Sequence, residues 1–93
     1  MTVVTFEVNF IGRVQGVGFR FLCLRKANSL GVKGWVRNAH KQDLVEAIFQ
    51  GEKKNIGELV YYLKNNPYLI RVDNFTMSEV KTKEKFSGFE VRY

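Results

Sequence analysis

Residues 4–30 read VTFEVNFIGRVQGVGFRFLCLRKANSL, and their apolar period changes once, across a glycine-rich turn. From Val4 to Phe10 the pattern alternates, placing Val4, Phe6, Val8 and Phe10 on one face, as a half-buried strand requires. From Phe19 to Leu30 the spacing is helical: Phe19, Leu22, Cys23, Ala27 and Leu30 share a stripe. Gly31 suits the end of that helix, where a left-handed residue commonly closes the last turn. Between the two segments lies Gly12–Gly18. Strand, turn and helix in that order open a βα unit.

The remaining segments follow outward from it. Lys33–Asn38 reads as a second strand and Asp43–Gln50 as a third, with Val45, Ala47 and Phe49 alternating. The two are close enough to pair as a hairpin around Ala39–Gln42. A second helix is expected over 52–65, because Ile56, Leu59, Val60 and Leu63 fall at i, i+3, i+4 and i+7. Asn66-Pro67 stops it, since the residue before a proline is driven out of the helical region. A fourth strand is expected over 71–80, and 88–93 adds a short fifth. The order βαββαβ predicts an α+β, ferredoxin-like split βαβ fold, an antiparallel sheet with both helices on one face.

Length and composition bound the class. The chain has 93 residues, enough for a single domain over 1–93, and a chain of that size buries roughly 60–65% of its unfolded surface. With 45% hydrophobic and 26% charged residues it reads as globular rather than disordered. One cysteine, Cys23, allows no internal disulfide, and with one histidine, His40, it cannot supply a common zinc ligand set. No zinc site is expected on this count, and no cofactor is expected either. A free thiol, no recognisable leader and no apolar run near the ~20 residues of a membrane helix lead to the expectation of a cytoplasmic protein that uses no membrane. The net charge of +6 favours anionic partners.

Two stretches carry candidate chemistry. In Gly12-Arg13-Val14-Gln15-Gly16-Val17-Gly18-Phe19-Arg20, glycines let successive N–H groups turn inward as an anion-binding nest. The first helical turn adds free N–H groups and the positive end of the dipole. Arg20 stands in that turn. A cation there is unfavourable for the helix alone, and its planar fork can grip two phosphate oxygens. The bland alternative is a tight strand-to-helix turn with a solvated arginine. The run is neither a Walker loop nor a dinucleotide fingerprint, because no Gly-Lys-Ser/Thr follows and the G-x-G-x-x-G spacing is absent. In the second stretch, Gly34-Trp35-Val36-Arg37-Asn38, Trp35 and Arg37 face one side of the strand and Val36 and Asn38 the other. Asn38 can cap the turn, or its amide can hold a water while touching a phosphoryl oxygen.

Taken together, Gly12-x-Val14-Gln15-Gly16-Val17-x-Phe19-Arg20 and Gly31-x-x-Gly34-Trp35-Val36-Arg37-Asn38 resemble the signature of the acylphosphatase family. Val45-Glu46-Ala47, Gln50-Gly51 and Arg71-Val72-Asp73 extend the resemblance over nearly the whole chain. It implies a ferredoxin-like enzyme that hydrolyses acyl phosphates to carboxylate and phosphate without metal or phosphoenzyme. By position, Arg20 and the loop amides of Val14, Gln15, Gly16, Val17, Gly18, Phe19 and Arg20 would bind the phosphoryl group, and Asn38 would position the attacking water. Inorganic phosphate would be product and competing ligand, and the protein would act as a monomer. One departure is visible. The turn Ala39-His40-Lys41-Gln42-Asp43-Leu44 lacks glycine and is one residue longer than the family's usual hairpin.

Cys23 lies on the apolar helix face and His40 in a loop, so a nucleophile–base pair is not expected. Phe21 and Leu24 lie off the core stripe, where they could flank the site and meet an acyl group or be scattered exposed apolars. The competing class is a basic ferredoxin-like RNA-binding module. That class needs aromatics on the open face of the third strand, where this chain has Glu46 and Gln50 opposite Phe49. No nucleic acid partner is expected.

Overall fold

The computed structural model describes residues 2–16 and 18–93. Its elements run β1 (Val3–Gly12), α1 (Phe19–Leu30), β2 (Lys33–Asn38), β3 (Leu44–Glu52), α2 (Lys53–Lys64), β4 (Val72–Glu79) and β5 (Phe89–Arg92). The strand order is β4-β1-β3-β2-β5. β1 pairs antiparallel with β3 and β4, and β2 antiparallel with β3. This is the expected ferredoxin-like core.

The wholly antiparallel sheet needs one correction. The chain reverses between β4 and β5, crosses to the far edge, and lays β5 parallel to β2, from Gly34↔Phe89 to Arg37↔Arg92. The sheet is therefore mixed. Alternation reports which face a strand buries but not its direction or its partner. The third strand also runs past the expected Gln50 to Glu52 and passes straight into α2.

Both helices pack on one face, α1 against β2 and β5, α2 against β3 and β4, and against each other. Val8, Phe10, Val36, Val45, Ala47 and Phe49 meet Phe19, Leu22, Cys23, Ala27, Ile56, Leu59 and Leu63 in one core. Phe19, the first residue of α1, is buried edge-on against Phe10 of β1, with ring centroids 5.2 Å apart. That contact pins the start of α1 beside the end of β1, so the intervening loop is held at both ends. Gly31 closes α1 in the left-handed region, as its position in the sequence suggests.

A second loop is built on a side chain. Asn66, nearly buried, donates to the carbonyls of Leu63 and Ile70 and accepts from the N–H groups of Tyr68 and Ile70, at 2.9–3.1 Å. The turn it closes holds Leu69 at φ 61°, a left-handed conformation that costs a non-glycine residue about 1–2 kcal/mol. Tyr68 is thereby displayed at the surface.

At the end of β1 the pairing with β4 shifts between Ile11 and Gly12. A Cβ on Gly12 would lie 2.4 Å from the carbonyl oxygen of Arg71 and 2.9 Å from the backbone nitrogen of Asp73. Both obstacles are backbone and cannot rotate away. Gly12→Ala is expected to lower unfolding stability by about 2 kcal/mol or more, read as a lower urea midpoint at unchanged slope. An unaltered midpoint would show that β4 yields to a methyl group.

Candidate active site

The loop after β1 starts with its amides satisfied. The Gly12 N–H donates to Asp43 O and the Arg13 N–H to Arg71 O, each at 2.9 Å. Beyond Arg13 the neighbouring strands supply nothing more. Among the described residues, the N–H groups of Val14, Gln15, Gly16 and Gly18 have no hydrogen-bond acceptor. Gly16 and Gly18 sit at φ 73° and 82°, and space around each is open, so the backbone angle alone demands glycine there. Such turns direct consecutive N–H groups toward one side. Gly18 is the N-cap of α1, and no side chain caps the helix or places a carboxylate in its first turn. The helix N-terminus therefore keeps its unsatisfied donors and positive end.

Arg20 stands in that first turn, half-buried. Its guanidinium donates to Arg92 O at 3.2 Å and lies 4.7 Å from the centroid of the Tyr93 ring. Among the described residues it has no carboxylate partner. A cation held by a carbonyl and a ring, beside a helix N-terminus, leaves its charge for an anion.

Asn38 closes β2 on the helix-covered side, following Val36. Its Oδ1 is the only buried side-chain nitrogen or oxygen among the described residues with no hydrogen-bond partner. Asn38 borders an open pocket of about 680 Å³ whose wall includes Gly12, Arg13, Gln15, Gly16 and Arg71. Arg20 borders a smaller opening of about 90 Å³ with Gly16, Gly18, Phe21 and Tyr93. Gly16 is common to both. Arg37 is the ladder partner of Arg92, whose carbonyl holds Arg20, and Asn38 is the next residue. Neighbouring strands lie about 4.8 Å apart. The ladder therefore brings Arg20 and Asn38 to one end of the β2–β5 pair.

The expected site residues Val14, Gln15, Gly16, Gly18, Phe19, Arg20 and Asn38 all fall at this end, while Val17 lies outside the described residues. Two of them have further duties. Val14 and Phe19 bury their side chains in the core, so only their backbones face the loop. The Gln15 amide nitrogen lies 2.8–3.0 Å from the carbonyl oxygens of Ala39, Lys41 and Leu44. Its two hydrogens are shared among three acceptors of the glycine-free hairpin. Nothing local in the chain pointed to this clamp, which ties the loop to the turn after Asn38. Arg92 and Tyr93 were likewise missed, because their role depends on the parallel pairing of β5.

Other candidates separate. Cys23 is fully buried on α1, and burial pushes its thiol well above the ordinary range. It is a core residue, and His40 is exposed on the hairpin. No group of three or more His, Cys, Asp or Glu converges among the described residues. No helix there is long and apolar enough to cross a membrane. On the open sheet face, Trp35 is flanked by Arg37 and Arg92 at 5.0 and 4.8 Å. Each arginine is paired, Arg37 with Glu46 and Arg92 with Glu90.

Comparison with known proteins bears on the family and the fold. The acylphosphatase family model matches residues 6–91. An acylphosphatase of Methanothrix thermoacetophila is 43% identical over 77 residues, 83% of this chain and 84% of that one. One from Thiobacillus denitrificans is 43% identical over 88 residues, 95% and 96% of the two chains. The crystal structure of an acylphosphatase from Bacillus subtilis superposes with a TM-score of 0.89 at 28% identity, covering 97% of this chain and 99% of that one.

The Gln15 clamp can be tested by charge as well as by deletion. A carboxylate has nearly the same shape but accepts only. Gln15→Ala and Gln15→Glu are both expected to destabilise by about 1–3 kcal/mol near neutral pH, measured by denaturant unfolding. Full stability in Gln15→Glu would mean that the three carbonyls do not depend on this donor.

Proposed function

The chain belongs to the acylphosphatase family, and on that premise we propose a mechanism in which backbone amides and Arg20 hold the phosphoryl group while Asn38 aims water at phosphorus. The substrate is a small acyl phosphate. Its phosphoryl oxygens accept from the N–H groups of Val14, Gln15, Gly16, Gly18, Phe19 and Arg20, and from the Arg20 guanidinium. The motif assigns the Val17 N–H to the same cradle. Asn38 Oδ1 accepts one hydrogen of a water. The water oxygen bonds to phosphorus as the acyl oxygen–phosphorus bond breaks. The carboxylate leaves with the bonding pair, and the water proton passes to a phosphoryl oxygen.

The chemistry asks little more of the protein. A carboxylate is a good leaving group, and a loose phosphoryl-transfer transition state needs positioning and stabilisation of charge on the equatorial oxygens. Preorganised amides and one guanidinium supply both. Neither a metal nor a protein base enters the scheme. The observation that carries it is Asn38 Oδ1, a buried acceptor left without a partner beside a loop of unpaired donors. An acceptor in that state costs about 1–3 kcal/mol unless something donates to it, and water can.

The reading has the enzyme act as a cytoplasmic monomer that uses neither nucleic acid nor membrane. The pairing of Arg37 and Arg92 with glutamates supports the exclusion of nucleic acid, since the open sheet face offers phosphates little unmet charge.

Purified protein is expected to release phosphate from benzoyl phosphate with EDTA present, with inorganic phosphate competing. Arg20→Ala and Asn38→Ala should each lower kcat/KM by at least about 10²–10³. Arg20→Ala should also raise the concentration at which phosphate inhibits. Wild-type turnover in either folded variant would remove that residue from the mechanism.

A further inference from the structure

We propose that the acyl group of the substrate lies in the shallow pocket formed by Gly18, Phe21, Leu22, Arg25, Tyr68 and Ile70, and that this pocket selects acyl phosphates with an aromatic or apolar body and a distal carboxylate. The proposal rests on the catalytic reading above and adds the identity of the leaving group.

The direction comes first. In a phosphoryl transfer the entering and leaving oxygens stand roughly in line, on opposite sides of phosphorus. Asn38 borders an opening that Gly16 also lines. A second opening, also lined by Gly16, is bordered by Arg20, Gly18 and Phe21. With water arriving from the Asn38 opening, the proposal has the carboxyl group leave by the second opening, toward Phe21. Gly18 and Phe21 also line the next depression, about 320 Å³ in volume, so this pocket adjoins the opening at Arg20. Its size falls within the range of small-ligand sites.

The lining then defines the occupant. Phe21 is 64% exposed and Tyr68 59% exposed, two aromatic rings from different elements facing one depression, with Leu22 and Ile70 between them. Phe21 belongs to α1 but lies off its core stripe, so packing of the helix does not account for it. Tyr68 is held by a turn that Asn66 closes with four hydrogen bonds, one of them from the Tyr68 N–H itself, and that keeps Leu69 left-handed. The turn thus presents the Tyr68 ring beside this depression. Arg25 is the charged residue of the lining, exposed and without an ion pair among the described residues. It stands one helical turn beyond Phe21, where it meets the far end of an acyl group whose near end is at Gly18. A carboxylate there is recognised by a planar fork.

The test compares three substrates of graded character, acetyl phosphate, benzoyl phosphate and 4-carboxybenzoyl phosphate, by kcat/KM on wild type, Phe21→Ala and Arg25→Gln. Both side chains are exposed, so neither change disturbs the core. Phe21→Ala is expected to reduce the preference for benzoyl over acetyl phosphate about 10-fold, the scale at which an apolar pocket discriminates. Arg25→Gln is expected to reduce the preference for 4-carboxybenzoyl over benzoyl phosphate about 5-fold, an effect that added salt weakens in wild type. Ratios unchanged in both variants, with wild type active, would overturn the acyl pocket and leave the catalytic reading standing. A wild type inert toward all three substrates would overturn the catalytic reading and the pocket with it.

Discussion

Every N–H that leaves a β-sheet must find an acceptor or face something that provides one, and β1 meets that demand only as far as Arg13. The carbonyls of Asp43 and Arg71, at the starts of the two flanking strands, take the last satisfied amides. From Val14 onward the flanking strands supply no further acceptors, and the donors that follow face one end of the sheet. α1 then adds its own unsatisfied amides. The shift in pairing at Gly12 sets where this happens, and Gly12 can stand there because a side chain would strike the β4 backbone. The anion cradle is thus what a strand end becomes when its neighbours fall short of it.

Unpaired donors are useful only if the loop keeps its shape, and the structure fixes it from three directions. Phe19 against Phe10 anchors the helix end in the core. Val14 is buried within the loop itself. Gln15 bonds the loop outward to the hairpin that follows Asn38. The third tie has a consequence for the longer, glycine-free turn over 39–44. A hairpin of this length needs something to hold its inward-facing carbonyls, and the glutamine amide provides it. The loop and the strand end that bears Asn38 are therefore positioned as one unit, which is what a site of two separate motifs needs.

Much of this was legible in the sequence. The change of period across Gly12–Gly18 located β1, the loop and α1, and the stripe of Ile56, Leu59, Val60 and Leu63 located α2. Arg20 was conspicuous because a cation in a first helical turn opposes the dipole. What escaped were matters of pairing and of side-chain direction. Residues 88–93 look the same whether β5 runs parallel or antiparallel, and only the parallel choice carries the Arg92 carbonyl to Arg20. Gln15 reads as a loop residue, because nothing local shows that its acceptors lie 24–29 residues away. Tyr68 follows a proline in a short turn, and its placement depends on Asn66, whose amide sequence alone would assign to stopping a helix.

The orphan oxygen of Asn38 connects stability to function. A folded chain keeps buried polar atoms paired because an unpaired one costs about as much as a typical point mutation. One such atom, in a residue that lines a pocket, is tolerated beside polar groups that are satisfied: Thr5 and Gln50, buried polar side chains of the sheet, bond to each other. The contrast between the two positions is instructive. At Gln50 the fold uses a buried amide to hold the segment of Glu84 and Phe86 in place, and every atom is engaged. At Asn38 the same chemistry is left open on one side. In the proposed reaction a water closes it, beside the unpaired amides of the loop that would hold the phosphoryl group.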